Sequence, residues 1–199
     1  MNQTVCEVGC DEAGRGPWAG PIVVGACKLT DGEIDYLSQL GIKDSKALSL
    51  NKRQSLFEKI KDKICWSVGV VSSVEIDELG LQPANVLAYE RAVKKLNLKA
   101  EQIIDCDYVG AFNKYWRLNY KVNSHIKGES KFISIATASI IAKVWRDNYM
   151  VELSKKFPVY NFQTNAGYGT KDHIHALNLY GPCLAHRKSF APIKQLDKK

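Results

Sequence analysis

From Ser130 to Lys156 the chain carries one long helical pattern, with Ile133, Ala136, Ile140, Ile141 and Val144 on a single stripe. Inside it, TASIIAK brings small residues to the inward side, which lets the helix lie close against a flat partner such as a sheet. Pro158 ends the pattern. A chain with such a helix needs a sheet to cover.

The strands are legible. Residues 3–10 and 18–29 are β-branched and apolar, with a Gly/Pro-rich turn between them, so they read as antiparallel strands opening a sheet. Residues 50–64 place Leu56, Ile60 and Ile64 at helical spacing, and CWSVGVVSS at 65–73 is a third strand. QPANVLAYERAVKKLNL at 82–98 is a helix with proline in its opening turn. EQIIDCDYVG at 101–110 is short and nearly continuously apolar, as strands buried on both faces are. Residues 115–127 alternate weakly, enough for one or two edge strands. Residues 170–180 form a last helix closed by Gly181-Pro182. Strands first, then helix–strand alternation, then helices describe an α/β fold: a mixed sheet flanked by helices, with a small C-terminal helical lobe. The 199 residues suit a single catalytic domain, its core about 1–156 and its lobe about 157–199.

Composition limits the rest. The formal charge of +7 favours a polyanionic partner without requiring one. Six cysteines, none in a CxxC pair and most inside apolar runs, read as buried thiols of a reducing cytosol. No basic leader precedes a long apolar segment, and no apolar run reaches the roughly 18 residues of a membrane span. The expected location is cytoplasmic, with no membrane partner.

Asp11 and Glu12 stand side by side at the end of the first apolar run, followed by Gly14-Arg15-Gly16. Successive side chains on a strand face opposite ways, so both acids reach one site only if the chain bends, which the glycines permit. An exposed acidic turn is the alternative. Asp105 interrupts an otherwise buried strand, and an unpaired buried carboxylate is costly unless it faces a cation. Asp107 competes with it, although the apolar context has ended by then. Glu129, before the long helix, is either a further carboxylate ligand or an acid complementing the helix dipole. Carboxylates at the ends of different strands suit a hard divalent ion such as Mg²⁺. Two such ions about 4 Å apart hydrolyse phosphodiesters without a protein nucleophile. The four histidines fit no ligand spacing.

GCDEAGRGPWAGPIVV resembles the opening motif of ribonuclease HII, the prokaryotic type 2 ribonuclease H. Four segments agree in order: IKDSKALS at 42–49, EIDELGLQPANVLAYERAV at 75–93, FISIATASIIAKVWRD at 132–147 and GYGTKDHIHALNLYGPCLAHRKSFAP at 167–192. The resemblance covers nearly the whole chain. It implies a ribonuclease H-like fold and hydrolysis of RNA in RNA–DNA hybrids. It also implies incision 5′ of single ribonucleotides in duplex DNA, with Mg²⁺ or Mn²⁺, leaving 3′-hydroxyl and 5′-phosphate ends. The enzyme would serve ribonucleotide removal as a monomer. Its metal-binding carboxylates fall on Asp11, Glu12 and Asp105, and its fourth acid, usually Asp, falls on Glu129.

A glutamate there is similar to the related ribonuclease HIII, whereas GRG and the lack of a long N-terminal extension fit type HII. By the same resemblance, the Gly14-Arg15-Gly16 backbone meets the 2′-hydroxyl region. Tyr168 would pack on the sugar of the following nucleotide. Lys46, Arg187 and Lys188 would contact phosphate, with Lys143 and Arg146 as further candidates for the same groove. Asn165-Ala166 replaces the usual His-Lys pair, and Gly80 stands where the family commonly has Asn. A catalytically weak hybrid-binding module is the alternative activity.

Overall fold

The computed structural model describes residues 6–42, 48–107 and 112–196. Strands β1 (Glu7–Ala13) and β2 (Ile22–Leu29) pair antiparallel. Helices α1 (Asp31–Gln39) and α2 (Leu50–Ile60) lead to β3 (Cys65–Val71), antiparallel to β2. Helices α3 (Ser73–Leu79) and α4 (Leu81–Lys95) then carry the chain to β4 (Ile103–Asp107), which lies parallel to β1. The short α5 (Phe112–Tyr115) precedes β5 (Lys121–His125), parallel to β4. After the long α6 (Ile133–Lys156) come α7 (Phe162–Asn165), α8 (Lys171–Tyr180) and α9 (Ala191–Leu196). The order β3-β2-β1-β4-β5 makes the expected mixed sheet, with β1 at its centre.

One face of the sheet packs on α4. Val8, Cys10, Val24 and Ala26 meet Ala88, Tyr89 and Ala92 there. The other face packs on α6, whose Ala136, Ala138, Ile140 and Ile141 join residues of α1 and α2. The close approach of α6 is real. A β-carbon on Gly9 would sit 2.2 Å from the Ser134 backbone, and one on Gly25 would sit 2.3 Å from the Ala138 carbonyl. Helix and sheet therefore meet backbone to backbone, which brings residues one turn further along α6 over the end of β1.

The first strand continues past residue 10, through Asp11 and Glu12 to Ala13, so the acids lie within it. The second begins later than its apolar run. Gly20 has φ +83 and Pro21 has no N–H, so residues 18–21 leave the ladder, and Ala19 bridges His186 instead. Helix α3 was not expected. It is short, and a capping box starts it: Ser72 Oγ accepts from Glu75 N, and Glu75 accepts from Ser72 N at 2.9 Å. Gly80 joins α3 to α4 at φ 83, ψ 157, a conformation essentially restricted to glycine, so Asn would be strained there.

The C-terminal segments build their own cluster, in which Tyr160, Phe162, Leu177 and Ile193 pack with Met150 and Leu153 of α6 and with Ala19. Cys10, Cys27 and Cys106 are buried, while Cys65 is exposed. Among the described residues, no helix is long and apolar enough to cross a membrane.

Candidate active site

β1 and β4 run parallel, and Gly9 stands opposite Asp105. Asp11 lies two residues further along β1, so it shares a sheet face with Asp105 on the neighbouring strand. That face is covered by α6, and Asp11 is only 7% exposed. Burial, with the Glu12 charge second, pushes its carboxyl up to about 7, while a hydrogen bond from Ser139 and the charge of Lys143 pull it down. Lys143 Nζ itself donates to Ser139 Oγ at 2.7 Å, one turn apart on α6.

The strand does not bend and Glu12 points away from the Asp11 face, yet it stands next to the last residue of β1 and still lines the cleft with Lys143. Its carboxylate lies at the strand end, where Tyr89 Oη on α4 donates to Oε2 at 2.5 Å and Arg15 Nη1 to Oε1 at 3.2 Å. Asp105 takes both of its bonds on one oxygen: Oδ1 lies 2.7 Å from His125 Nε2 and accepts from Asn123 Nδ2 at 3.2 Å. Glu129 sits in a 3₁₀ turn (Gly128–Ser130) and is 3% exposed. Asp107 Oδ1 accepts from Gly128 N at 3.0 Å, tethering that turn to the end of β4. Asp107 thus acts on the turn that carries Glu129.

The donor set is hard and anionic, and Asp11 is a buried acid beside a second acid, Glu12, whose charge Lys143 offsets only in part. That is the situation a divalent cation relieves. Among the described residues, no three His, Cys, Asp or Glu side chains close around a point as a finished metal cage would. The acids fit an open site of the Mg²⁺ kind, which is completed by water and by substrate phosphate.

Beside the acids opens a cleft of about 300 Å³, lined by Glu12, Gly14, Arg15, Gly16, Lys143 and Tyr168, among others. The two glycines differ. Gly14 has φ +94, and a β-carbon there would lie 2.2 Å from Arg146 Nε, so the fold itself demands glycine. At Gly16 the nearest atom to an added β-carbon is Tyr168 Cε1 at 3.6 Å, so the fold makes no such demand there. Tyr168 is 52% exposed.

Arg187 corrects the expectation from sequence. It is fully buried and donates to the carbonyls of Gly14 (2.6 Å), Arg15 (3.0 Å) and Gly20 (2.8 and 3.0 Å). Its guanidinium is spent on the loop backbone and cannot reach phosphate. Burial, with Arg146 second, lowers its pKa to about 9. Arg146 is likewise buried, donating to the carbonyls of Pro21, Ala19 and Ala166. Both arginines hold the cleft from behind. Lys188 donates its backbone N–H to Asp77. Lys46 lies outside the described residues. Asn165 is also structural, with Nδ2 on the Tyr160 carbonyl and Oδ1 on Gly167 N. Sequence reasoning does not find Tyr89, Ser139 or His125: a tyrosine or serine inside a helix carries no sign of what it faces, and His125 meets Asp105 only through the pairing of β4 with β5.

Solved structures of this architecture define the class. The chain superposes on the ribonuclease H2 of Pyrococcus horikoshii with TM-score 0.79 at 27% identity, covering 98% of each chain. It also matches the ribonuclease HII of Archaeoglobus fulgidus, solved with PCNA, with TM-score 0.80 at 26% identity over 94% of this chain and 95% of that one. A ribonuclease HIII solved with Mn²⁺ shares the fold, with TM-score 0.79 at 22% identity. The fold is that of a ribonuclease H.

The family model for ribonuclease HII matches residues 8–193. The ribonuclease HII of Macrococcus caseolyticus is 43% identical over 98% of this chain and 70% of its own length. That of Caldicellulosiruptor bescii is 44% identical over 92% and 84%. The chain belongs to the ribonuclease HII family, and is a nuclease of a divalent-metal-dependent kind.

Proposed function

We propose that the enzyme hydrolyses RNA in RNA–DNA hybrids and incises 5′ of single ribonucleotides in duplex DNA, leaving 3′-hydroxyl and 5′-phosphate ends. Two ions, Mg²⁺ or Mn²⁺, would be held by Asp11, Glu12, Asp105 and Glu129. Ribonucleotide removal from DNA, in the cytoplasm and as a monomer, is the matching role. The observation that carries this reading is the buried Asp11 carboxyl, next to Glu12 in β1 and on the same sheet face as Asp105.

Bound divalent ions supply Lewis-acid stabilisation of phosphoryl oxygens and an acidified water. The chain's own residues do the rest. Ser139 and Lys143 orient the Asp11 carboxylate, while Tyr89 and Arg15 orient Glu12. Gly16 leaves the loop backbone open beside Tyr168, where a 2′-hydroxyl can be felt at close range. Arg15 and Lys143 line the cleft and give it positive charge for the phosphate backbone, which is bound without base preference.

The test is cleavage of a DNA duplex carrying one ribonucleotide, with and without divalent ion. Metal-dependent cutting on its 5′ side is expected. Cutting of uniform hybrid alone would sink the single-ribonucleotide part, and binding without cutting would favour a hybrid-binding module.

A further inference from the structure

His173 and His186 face each other, Nε2 to Nε2 at 2.9 Å, and both are buried. Two neutral imidazoles can meet this way only if one Nε2 carries a proton and the other a lone pair. Both ends of the pair decide which. His186 Nδ1 meets two backbone groups of Cys183, the N–H at 2.9 Å and the carbonyl at 3.3 Å; the shorter contact makes that nitrogen an acceptor, so the proton of His186 sits on Nε2. At the far end, His173 Nδ1 lies 2.9 Å from the Tyr168 carbonyl, which only accepts, so the proton of His173 sits on Nδ1. The Tyr168 end offers no such choice: with the proton of His173 on Nδ1, its Nε2 must accept from His186 Nε2, which requires the same arrangement. The chain of donors runs from Cys183 N–H through His186 and His173 to the Tyr168 carbonyl.

The destination matters, because Tyr168 sits between Gly167 at φ +82 and Gly169, in a stretch that its own side chains do little to stiffen. Its N–H donates to the Asn165 carbonyl, and its carbonyl also accepts from Thr170 N. His173 belongs to the first turn of α8, and His186 immediately precedes Arg187, whose guanidinium fixes Gly14 and Arg15. The adjacent residues His186 and Arg187 therefore hang opposite walls of the cleft: Tyr168 on one side and the glycine loop on the other.

We infer that His173 and His186 are positioning residues, a pair of fixed tautomers that sets Tyr168 against Gly16 and so supports selection of a single ribonucleotide in DNA. The selection half rests on the reading of Tyr168 as the wall that meets the sugar. The tautomer half rests on the hydrogen bonds alone.

Long-range ¹H–¹⁵N correlation of the wild-type histidines at neutral pH tests the tautomers. His173 should carry its proton on Nδ1 and His186 on Nε2; any other pattern overturns the relay. The second measurement is kcat/KM on a duplex with one ribonucleotide, relative to a uniform RNA–DNA hybrid. His173→Leu should lose roughly tenfold of that preference, as expected for one lost positioning hydrogen bond. His173→Asn, whose amide can replace the Nδ1 donor, should recover it to within about threefold.

A folded His173→Leu with unchanged preference overturns the positioning role. Should leucine prevent folding, a folded His173→Asn without the preference overturns it equally. Tyr168→Ala with unchanged preference overturns the reading of Tyr168, and with it the selection half. The spectra then still decide the relay.

Discussion

Arg187 Nη2 donates to the Gly14 carbonyl at 2.6 Å, from a position with no exposed surface. A side chain that looked like a phosphate contact is the strut of the loop that meets substrate. Arg187→Leu leaves buried carbonyls of Gly14, Arg15 and Gly20 without their donor, at about 1–3 kcal/mol for each such group. We expect a stability loss of roughly 3 kcal/mol or more in urea titration. A surface phosphate contact would instead leave stability intact and flatten the salt dependence of binding.

Gly14 and Gly16 separate folding from recognition. Gly14→Ala forces a β-carbon to 2.2 Å from Arg146 Nε at a positive φ, and should lower Tm markedly. Gly16→Ala meets only Tyr168 Cε1 at 3.6 Å and should keep a near-wild-type Tm while raising KM for the single-ribonucleotide duplex. Equal Tm losses in the two variants would contradict this division.

The histidine pair makes stability depend on acid. Burial first, then His173, holds His186 down to about 4, and burial also lowers His173. Unfolded histidine takes its proton near 6.5. Between pH 6.5 and about 4 the unfolded chain therefore binds more protons than the folded one. Stability should fall as pH drops through that window, by up to about 1.4 kcal/mol per unit for each such group, and level off below it. Tyr160 and Cys183 also face the pair and keep their protons throughout this range. Subtracting the Tm–pH profile of His186→Asn from that of wild type isolates the effect, and a flat difference would contradict it.

Glu129 and Asp107 should behave differently. Glu129→Gln removes a charge and little volume, so a marked loss of metal-dependent cleavage is expected, and near-normal activity would remove it from the site. Asp107→Ala frees the Gly128 N–H and loosens the turn carrying Glu129. A milder loss, partly recovered by higher divalent-ion concentration, is expected in metal titrations.

Much of this was legible in the chain. The apolar runs gave β1, β2, β3 and β4, and the small residues of TASIIAK announced how closely α6 meets the sheet. Helix α1 was not legible because only Leu37 of its nine residues is buried, leaving almost no stripe. Asp11 and Asp105 stand out in the sequence because an acid inside an apolar strand is conspicuous, and the structure puts both on one sheet face. Arg187 was misread because sequence shows a charge but not which backbone carbonyls will surround it. Tyr89 and Ser139 reach the acids only once α4 and α6 are laid on opposite faces.

If Asp11 and Asp105 act together on a divalent ion, single-turnover cleavage by Asp11→Asn and Asp105→Asn, measured beside their binding to uncut hybrid, shows it most directly. Cleavage should fall by at least about a hundredfold in each, with hybrid affinity within roughly threefold of wild type, since each change removes a ligand charge but little volume. Wild-type turnover in either variant would contradict it.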